Sequence, residues 1–322
     1  MVWTPGRICL VGEHNDWAGG QAVVVPHHRG LTIEVEAYES FVVHTILEGT
    51  PYSWSPGQDP GLLGLVPSVL TALGAAPPAL RVRIYGDLPP GRGFSSSAAV
   101  AVGLVRVLGP RVGADVGDPD RVAELAWRAE HEILGVNCGL LDPLACAYAR
   151  PLHLRFGPQG TRVFPLHPAR ATLIVGSFSR PRDTRAILAA LGAARTTAPV
   201  RTALEGFGDA AEAVAKALPA GDHMRIGAEM NRCQALYEEH LLTLPELAAP
   251  GLVRAVRRLR DAGAYGAKFS GAGGDGSVVA WMPSDRADAG VTALEGLGID
   301  AEVVQIGMTS PDSGGDRGPS PR

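Results

Sequence analysis

The sequence predicts a mixed α/β (α+β) fold in two packed domains. Its 322 residues exceed the usual size of one domain, and hydrophobic residues make up 46% of them, enough for a sizeable core. Short strand patterns and helical patterns are interspersed, and several strands adjoin one another as hairpins. Regular alternation of single strands and helices is therefore not predicted.

The N-terminal half contains four clear strand patterns and two helices. The segments "RICLVG", "QAVVVP", "LTIEVEAY" and "LRVRIYG" are apolar or alternate between apolar and polar residues, as buried and half-buried strands do. Residues 98–108 have helical composition, with Ser95–Ser97 at the N-cap and first turn, and residues 119–135 form the clearest helix. The segment "LHLRFGPQGTRVFPL" predicts a hairpin.

A second unit begins near the strand predicted at 171–179. A glycine-containing loop joins two further strands in "GAKFSGAGGDGSVVAWM". We divide the chain into domains at 1–168 and 169–308, and we expect the Gly-, Pro- and Ser-rich tail at 309–322 to be disordered. The helices predicted in this unit are 183–195, 201–217, 222–239 and 251–262.

The composition excludes several classes of protein. A net charge of −4 gives no reason to expect nucleic acid or an acidic membrane as a partner. Four cysteines without a CxxC pair, no apolar run near 18 residues and no room for a secretory leader predict a soluble cytoplasmic protein. The nine histidines include no HExxH motif and so give no metal signal. The choice between monomer and homodimer stays open.

The segment "DLPPGRGFSSSAA" (87–99) places glycines, then hydroxyls, then a helix start. A helix N-terminus attracts phosphate, glycines let the backbone approach it, and serine hydroxyls bind phosphate oxygens or Mg2+. A plain turn with serine capping explains the segment equally well. A dinucleotide fingerprint fails at Ser96, and a Walker loop fails because no GK[ST] follows.

Charged residues gather in "PGRICLVGEHNDWAGG" (5–20), after the first strand. Arg7, Glu13, His14 and Asp16 lie within ten residues, and the two carboxylates can accept hydrogen bonds from a polyhydroxylated ligand. The alternative interpretation is a charged surface turn.

Two acidic residues occur in "AEHEILGVNCGLLDPLACAY". Glu130 lies on the predicted helix, and Asp142 stands among apolar neighbours, where it is either an N-cap or a functional acid. The glycine-rich "KFSGAGGDGSVVA" is a further loop candidate or a plain hairpin.

Together these four stretches resemble the motifs of the GHMP kinases, and within that superfamily they are most similar to the galactokinases. "GRICLVGEHNDWAGG" is similar to the signature GR-x-N-L-I-G-E-H-T-D-Y-x-G-G, and "AEHEILGVNCGLLD" to A-E-x-x-x-x-G-V-x-C-G-x-M-D. "DLPPGRGFSSSAA" resembles the phosphate-loop motif and "GAKFSGAGGDGS" the third, glycine-rich one. The motifs occur in the family's order and span residues 5–280.

The resemblance implies an architecture and an activity. The N-terminal domain would be a mixed sheet with helices and a left-handed βαβ crossover, and the C-terminal domain would be ferredoxin-like. ATP and the substrate would meet in the cleft between them. The activity would be ATP-dependent phosphorylation of a monosaccharide, at its anomeric (C1) hydroxyl.

The resemblance also assigns residues. Asp142 would orient or accept the proton of the attacking hydroxyl, with Arg7 beside it. The sugar-binding residues would be Glu13, His14, Asp16, Gly139 and Asp142. Ser97 and Glu130 would hold Mg2+. The residues around the ATP phosphates would be Pro90, Gly91, Arg92, Gly93, Phe94, Ser95, Ser96, Ser97, Ala98, Gly271, Gly273 and Gly274.

The match departs from the galactokinase pattern in three places. Pro143 stands where the family has Gln, and Asp275 enters the third motif, where we expect it to face solvent rather than a substrate amine or hydroxyl. "SFSRPRDTRAIL" lacks the family's sugar-contacting Tyr and offers Arg180, Arg182 and Arg185 instead. An unusual or modified sugar is therefore the expected substrate.

Two other functions remain possible. The protein is a GHMP kinase for another small alcohol, or a sugar- and ATP-binding sensor without turnover. The kinase interpretation requires that Asp142 lie next to Arg7 and face the loop at 91–97.

Overall fold

Seven strands from the N-terminal half form one sheet. The structure is a computed structural model, and it describes residues 1–47, 49–178 and 183–307. The strands are β1 (Val2–Val11), β2 (Gln21–Ala37), β3 (Val42–Leu47), β4 (Thr50–Trp54), β5 (Leu80–Gly86), β6 (Leu152–Gly157) and β7 (Gly160–Pro165). Their order is β4-β3-β5-β2-β6-β7, with β1 paired to β2. The sheet is mixed, as predicted, because β3 and β5 are parallel while the other pairs are antiparallel.

Strand β2 replaces two predicted strands. We expected a break after "QAVVVP", but the strand continues through Pro26 and Gly30. It pairs with β6 at one end, with β1 in the middle and with β5 at the other end. The β1–β2 register shifts next to Pro26, between the pairs Arg7–Pro26 and Pro5–Gly30, and such an irregularity accommodates a residue that has no N–H to donate.

Helices cover this sheet and enclose its core. They are α1 (Asn15–Ala18), α2 (Leu65–Ala72), α3 (Ser96–Leu108), α4 (Pro119–Arg128) and α5 (Leu141–Tyr148). Helix α3 is central and contacts β1, β2 and the helices α2, α4 and α5. The helix predicted over 119–135 is α4 followed by a π-helical turn, Ala129–Ile133.

The C-terminal half contains the second sheet, and its topology is ferredoxin-like, as the resemblance implied. Four antiparallel strands are ordered β11-β8-β10-β9, the arrangement produced by a βαββαβ chain. The strands are β8 (Ala171–Ser177), β9 (Gly266–Ser270), β10 (Ser277–Met282) and β11 (Asp300–Ile306). The helices are α6 (Thr184–Ala194), α7 (Ala198–Ala220), α8 (His223–Leu236), α9 (Pro250–Asp261) and α10 (Ala287–Glu295).

The two halves contact each other directly. Helix α7 packs on β1 and β2, and the hydroxyl of Ser270 donates to the carbonyl of Cys9 at 3.3 Å. On another side, His27, His28 and Arg29 of β2 surround the carboxylate of Glu302 on β11. The domain boundary at 168/169 stays a prediction, although the sheets draw their strands from either side of it.

Two remaining expectations concern the membrane and the tail. Within the described ranges, no helix has both the length and the apolar character needed to cross a bilayer. The tail at 309–322 lies outside those ranges.

Candidate active site

Arg7 and Asp142 form an ion pair at the junction of β1 and α5. Nε and Nη2 of Arg7 lie 2.7 Å and 2.6 Å from Oδ1 of Asp142, although 135 positions separate the residues. The guanidinium is buried, whereas the Asp142 side chain is 36% exposed. Burial is the largest single influence on the pKa of Arg7 and lowers it, but the charge and hydrogen bond of Asp142, together with nearby Cys9 and Glu13, outweigh burial and the pKa is raised.

Arg7 also joins this pair to the glycine–serine loop. Its Nη1 donates to the carbonyl of Gly93 at 2.8 Å, and its backbone N–H donates to the carbonyl of Phe94 at 3.1 Å. Asp142 therefore lies beside Arg7 and faces the loop, as the kinase interpretation requires. The N-cap alternative for Asp142 is wrong, because α5 begins one residue earlier and Leu140 holds the N-cap position.

The loop exposes its backbone in front of α3. Gly91, Gly93 and Ser95 have φ values of +69°, +80° and +62°, and the strained Ser95 immediately precedes the helix. The Ser95 side chain makes no capping hydrogen bond, and its buried hydroxyl has no partner among the described residues. Plain serine capping therefore does not explain this loop.

Ser97 and Glu130 lie together on the next side of the cavity. Both side chains line the cavity, and Glu130, on the π-helical turn, is 8% exposed. Burial raises the pKa of Glu130, and a hydrogen bond from Ser97 opposes that rise. A buried carboxylate next to a hydroxyl fits Mg2+, which prefers oxygen ligands.

The sugar signature forms another part of the cavity wall. His14 is buried in a left-handed conformation at φ +66°, and Asp16 follows it on α1. Oδ2 of Asp16 accepts the backbone N–H of Leu141 at 3.2 Å. A Cβ on Gly139 would lie 2.0 Å from that oxygen, so any other residue there would displace the Asp16 side chain. Burial and the charge of Asp142 raise the pKa of Asp16 to about 6.

Glu13 has a partner that the sequence did not signal. Lys268 of β9 is fully buried, and its ammonium group contacts Oε1 of Glu13 and the carbonyl of Phe269. Oε2 of Glu13 is also buried and has no hydrogen-bond partner within the described part of the chain.

Tyr237 fixes the position of the third, glycine-rich motif from the side away from the cavity. The hydroxyl of Tyr237 accepts the N–H of Gly274 at 2.8 Å and donates to the carbonyl of Leu247 at 2.9 Å. Gly271 lines the cavity, whereas Gly273 packs against the Tyr237 ring.

The expectation that Asp275 faces solvent is wrong, and it does not reach the cavity either. Its oxygens accept the N–H groups of Gly251 and Leu252 at 3.2 Å and 2.7 Å, so it caps α9. The first turn of α9 lies directly behind the motif, and its unpaired amides attract the carboxylate.

These groups surround one cavity, whose empty space is about 930 Å3 when its open mouth is included. Most of the predicted residues line it. In the described structure, however, the side chain of Arg92 reaches Ser177 and Asp300, and Phe94 packs on His27. Lining residues that sequence reasoning missed are Cys9, Trp17, Val136, Cys138, Leu141, Thr184, Leu188 and Ala272.

The departures from the galactokinase pattern have different outcomes. Pro143 is buried and lines the cavity. Arg185 is exposed on α6, whose Thr184 and Leu188 form part of the wall. The predicted Arg180 and Arg182 lie outside the described residues.

Comparisons with known proteins agree with this fold. Residues 64–150 match the family model "GHMP kinases N terminal domain", and residues 214–299 match "GHMP kinases C terminal". The galactokinase of Pyrococcus furiosus is 27% identical over 89% of this chain and 90% of its own. Galactose-bound Lactococcus lactis galactokinase superposes with a TM-score of 0.77 at 20% identity, over 94% of this chain and 92% of its own. L. major mevalonate kinase bound to R-mevalonate superposes with a TM-score of 0.75 at 23% identity, over 94% of both chains. Because both solved structures are less than 25% identical to this chain, they support the fold alone.

Proposed function

Because the chain belongs to the GHMP kinase family, we propose that it is an ATP-dependent sugar kinase. It transfers the γ-phosphoryl group of ATP to a monosaccharide, at the anomeric hydroxyl, and the sugar is an unusual or modified one. The observation that carries the proposal is the Arg7–Asp142 pair, which lies between the glycine–serine loop and the carboxylates of the sugar signature.

The loop at 91–97 and the N-terminus of α3 bind the phosphates. Phosphoryl transfer depends on positioning and charge neutralisation more than on covalent chemistry, and backbone N–H groups supply both. Ser97 and Glu130 would hold Mg2+, which neutralises phosphate charge when bound.

Asp142 orients the attacking hydroxyl. Arg7 engages Oδ1 of the carboxylate from a buried position, and the exposed part of Asp142 faces the cavity. Its carboxylate accepts the proton of the hydroxyl or fixes its direction, and the anomeric hydroxyl suits this weak base because it is more acidic than an ordinary alcohol. Arg7 also stabilises the charge that develops on transfer.

The sugar lies against Glu13, His14 and Asp16. Two carboxylates and an imidazole provide the hydrogen-bond acceptors that a polyol needs. Apolar residues, among them Trp17 and Leu188, also line the cavity, and Pro143 occupies the position of the family's Gln. This wall supports a sugar whose surface differs from that of galactose.

A cytoplasmic location is part of the proposal. All four cysteines are free thiols, and burial raises the pKa of each of them, which suits inert thiols in a reducing compartment.

Coupled ADP release over a panel of sugars and small alcohols tests the function. The panel contains D-galactose, its deoxy and amino derivatives, higher-carbon sugars, mevalonate and homoserine. Turnover of a sugar supports the proposal. Turnover of a non-sugar alone would show instead that the protein is a kinase for another small alcohol. Binding of sugar and ATP without any ADP release would identify a sensor instead.

A further inference from the structure

Lys268 is an unusual cation in this chain. The sequence contains two lysines, Lys216 and Lys268, whereas 27 of the 29 basic residues are arginines. Lys216 is exposed and pairs with Glu212 on the surface of α7, but Lys268 is fully buried. A chain whose basic residues are almost all arginines therefore has a lysine at this fully buried position.

Lys268 connects the second sheet to the sugar wall of the cavity. It extends from β9 and pairs with Glu13, which follows β1 in the other half of the chain. The side chain of Glu13 is 2% exposed, so water screens this pair very little. The compact ammonium group also donates to the carbonyl of Phe269, and it lies 4.3 Å from the centre of the Phe269 ring.

The pair leaves one acceptor unused. Oε1 of Glu13 is occupied by Lys268, while the buried Oε2 has no partner among the described residues, and Glu13 lines the cavity. A buried acceptor without a partner is costly, and a ligand that donates a hydrogen bond removes that cost. The other buried cation nearby, Arg7, is engaged with Asp142 and Gly93.

We propose that Lys268 is a positioning residue for the substrate, acting through Glu13. It balances the charge of Glu13 and fixes Oε1, so that Oε2 accepts a hydrogen bond from a neutral hydroxyl group of the sugar. Because Lys268 already neutralises the carboxylate, the site favours a hydroxyl over an ammonium group at this point. The inference rests on the proposed sugar kinase function.

Kinetics of four proteins test the coupling: wild type, Lys268→Met, Glu13→Gln and the double variant. The substrate is the panel sugar with the highest turnover, and Lys216→Met is the matched control. We expect Lys268→Met to raise the KM for the sugar by about tenfold to a hundredfold, the effect of losing a hydrogen bond to a charged group. The KM for ATP changes less than about threefold, and Lys268→Met has little further effect in the Glu13→Gln background, because coupled residues are not additive.

An unchanged sugar KM in Lys268→Met, or equal rises in the KM for sugar and for ATP, would overturn the inference. So would full additivity of the two substitutions. If Lys268→Met does not fold, the NMR measurement on the wild-type protein, described next, decides.

A measurement on the wild-type protein needs no substitution at Lys268. Labelling lysine with 13C at Cε gives two NMR signals, and Lys216→Met identifies the exposed one. The same sugar should shift the Lys268 signal and leave the Lys216 signal in place, and ATP alone should shift neither. No movement of the Lys268 signal on sugar saturation would contradict the inference. Absence of any sugar turnover by wild type would instead refute the proposed function itself.

Discussion

The phosphate side and the sugar side of the cavity are built in different ways. On the phosphate side, backbone groups of Gly91, Gly93 and Ser95 face the cavity in left-handed conformations, in front of α3. On the sugar side, charged side chains from distant segments are held by one another, as in the pair of Glu13 with Lys268.

This difference shows where the cavity tolerates change. A backbone site needs only residues that permit its conformation, and side chains such as Arg92 and Phe94 are free to point elsewhere. A side-chain site needs each partner, because a buried polar group that loses its partner remains buried. Substitutions on the sugar side should therefore alter specificity, and those on the phosphate side should alter nucleotide and metal use.

The largest effect is expected where the two sides meet. Asp142→Asn removes the carboxylate that orients the hydroxyl, and kcat should fall by at least about a hundredfold, the low end for loss of a general base. The kcat of Arg7→Ala should fall by as much. Coupled ADP release measures both, with the exposed Asp285→Asn as control. Near-normal turnover of folded Asp142→Asn would break the assignment of this residue.

A substitution confined to the sugar side should separate the two substrates. In Gly139→Ala the new Cβ would meet Oδ2 of Asp16 at 2.0 Å and displace it. The KM for the sugar should rise by about tenfold or more, as expected for loss of a hydrogen bond to a charged group, with little change in the KM for ATP. Gly157→Ala, where a Cβ meets nothing within 4 Å, is the control. A larger rise in the KM for ATP than in the KM for the sugar would show that the sugar side and the phosphate side of the cavity are not independent.

A substitution on the phosphate side should alter the metal requirement. Glu130→Gln removes a charged ligand, and we expect the Mg2+ concentration for half-maximal rate to rise by about tenfold, roughly 1.4 kcal/mol. Glu132→Gln, on the same π-helical turn but paired with Arg128 at the surface, should leave it unchanged. An unaltered Mg2+ dependence in Glu130→Gln would place the metal elsewhere.

The pH dependence should report the sugar side. The pKa of Asp16 is raised from 3.8 to about 6, so this carboxylate loses its charge as the pH falls through about 6. The kcat/KM for the sugar should therefore decline below about pH 6, and Asp16→Asn should remove that step.

The raised pKa also means that ionised Asp16 destabilises the folded state above about pH 6 and not below 3.8. Asp16→Asn should accordingly be more stable than wild type by about 1–3 kcal/mol at pH 8, with no such gain at pH 3.5.

The smallest effect is expected behind the third motif. Asp275→Ala removes the two hydrogen bonds that cap α9, and this should lower the free energy of unfolding by about 1 kcal/mol. Neither KM should change by more than about twofold, since Asp275 does not line the cavity. A large loss of ATP affinity in Asp275→Ala would instead show that Asp275 contributes to nucleotide binding.

Much of the fold and the family followed from the sequence. The four motifs carry local signals, namely glycines, hydroxyls and carboxylates at fixed spacing, and their resemblance to the GHMP kinases is confirmed by both family models. The segment over residues 42–72, which forms β3, β4 and α2, carries no prediction, because its elements are short and Gly and Pro residues interrupt their apolar pattern. The π-helical turns at 129–133 and 237–241 lie at the ends of the helices that the sequence predicts over 119–135 and 222–239, and they are not predicted because an extra residue in a turn leaves no periodic signal.

The partners of the site residues were harder to predict. Arg7 and Asp142 could be paired only through the resemblance, and nothing in the sequence linked Glu13 to a lysine 255 positions away. The interpretation of Asp275 failed for a similar reason. Its partner is the start of a helix that precedes it by more than twenty positions, and only the packing of α9 behind the motif brings the two together.

The most direct test of the account is 31P NMR of ATP incubated with wild-type protein, Mg2+ and the best panel sugar. We expect the γ-phosphoryl group to appear in a sugar phosphate whose phosphorus couples to the anomeric proton, and Asp142→Asn to form this product at least about a hundredfold more slowly. Release of inorganic phosphate alone, or equal rates for the two proteins, would contradict it.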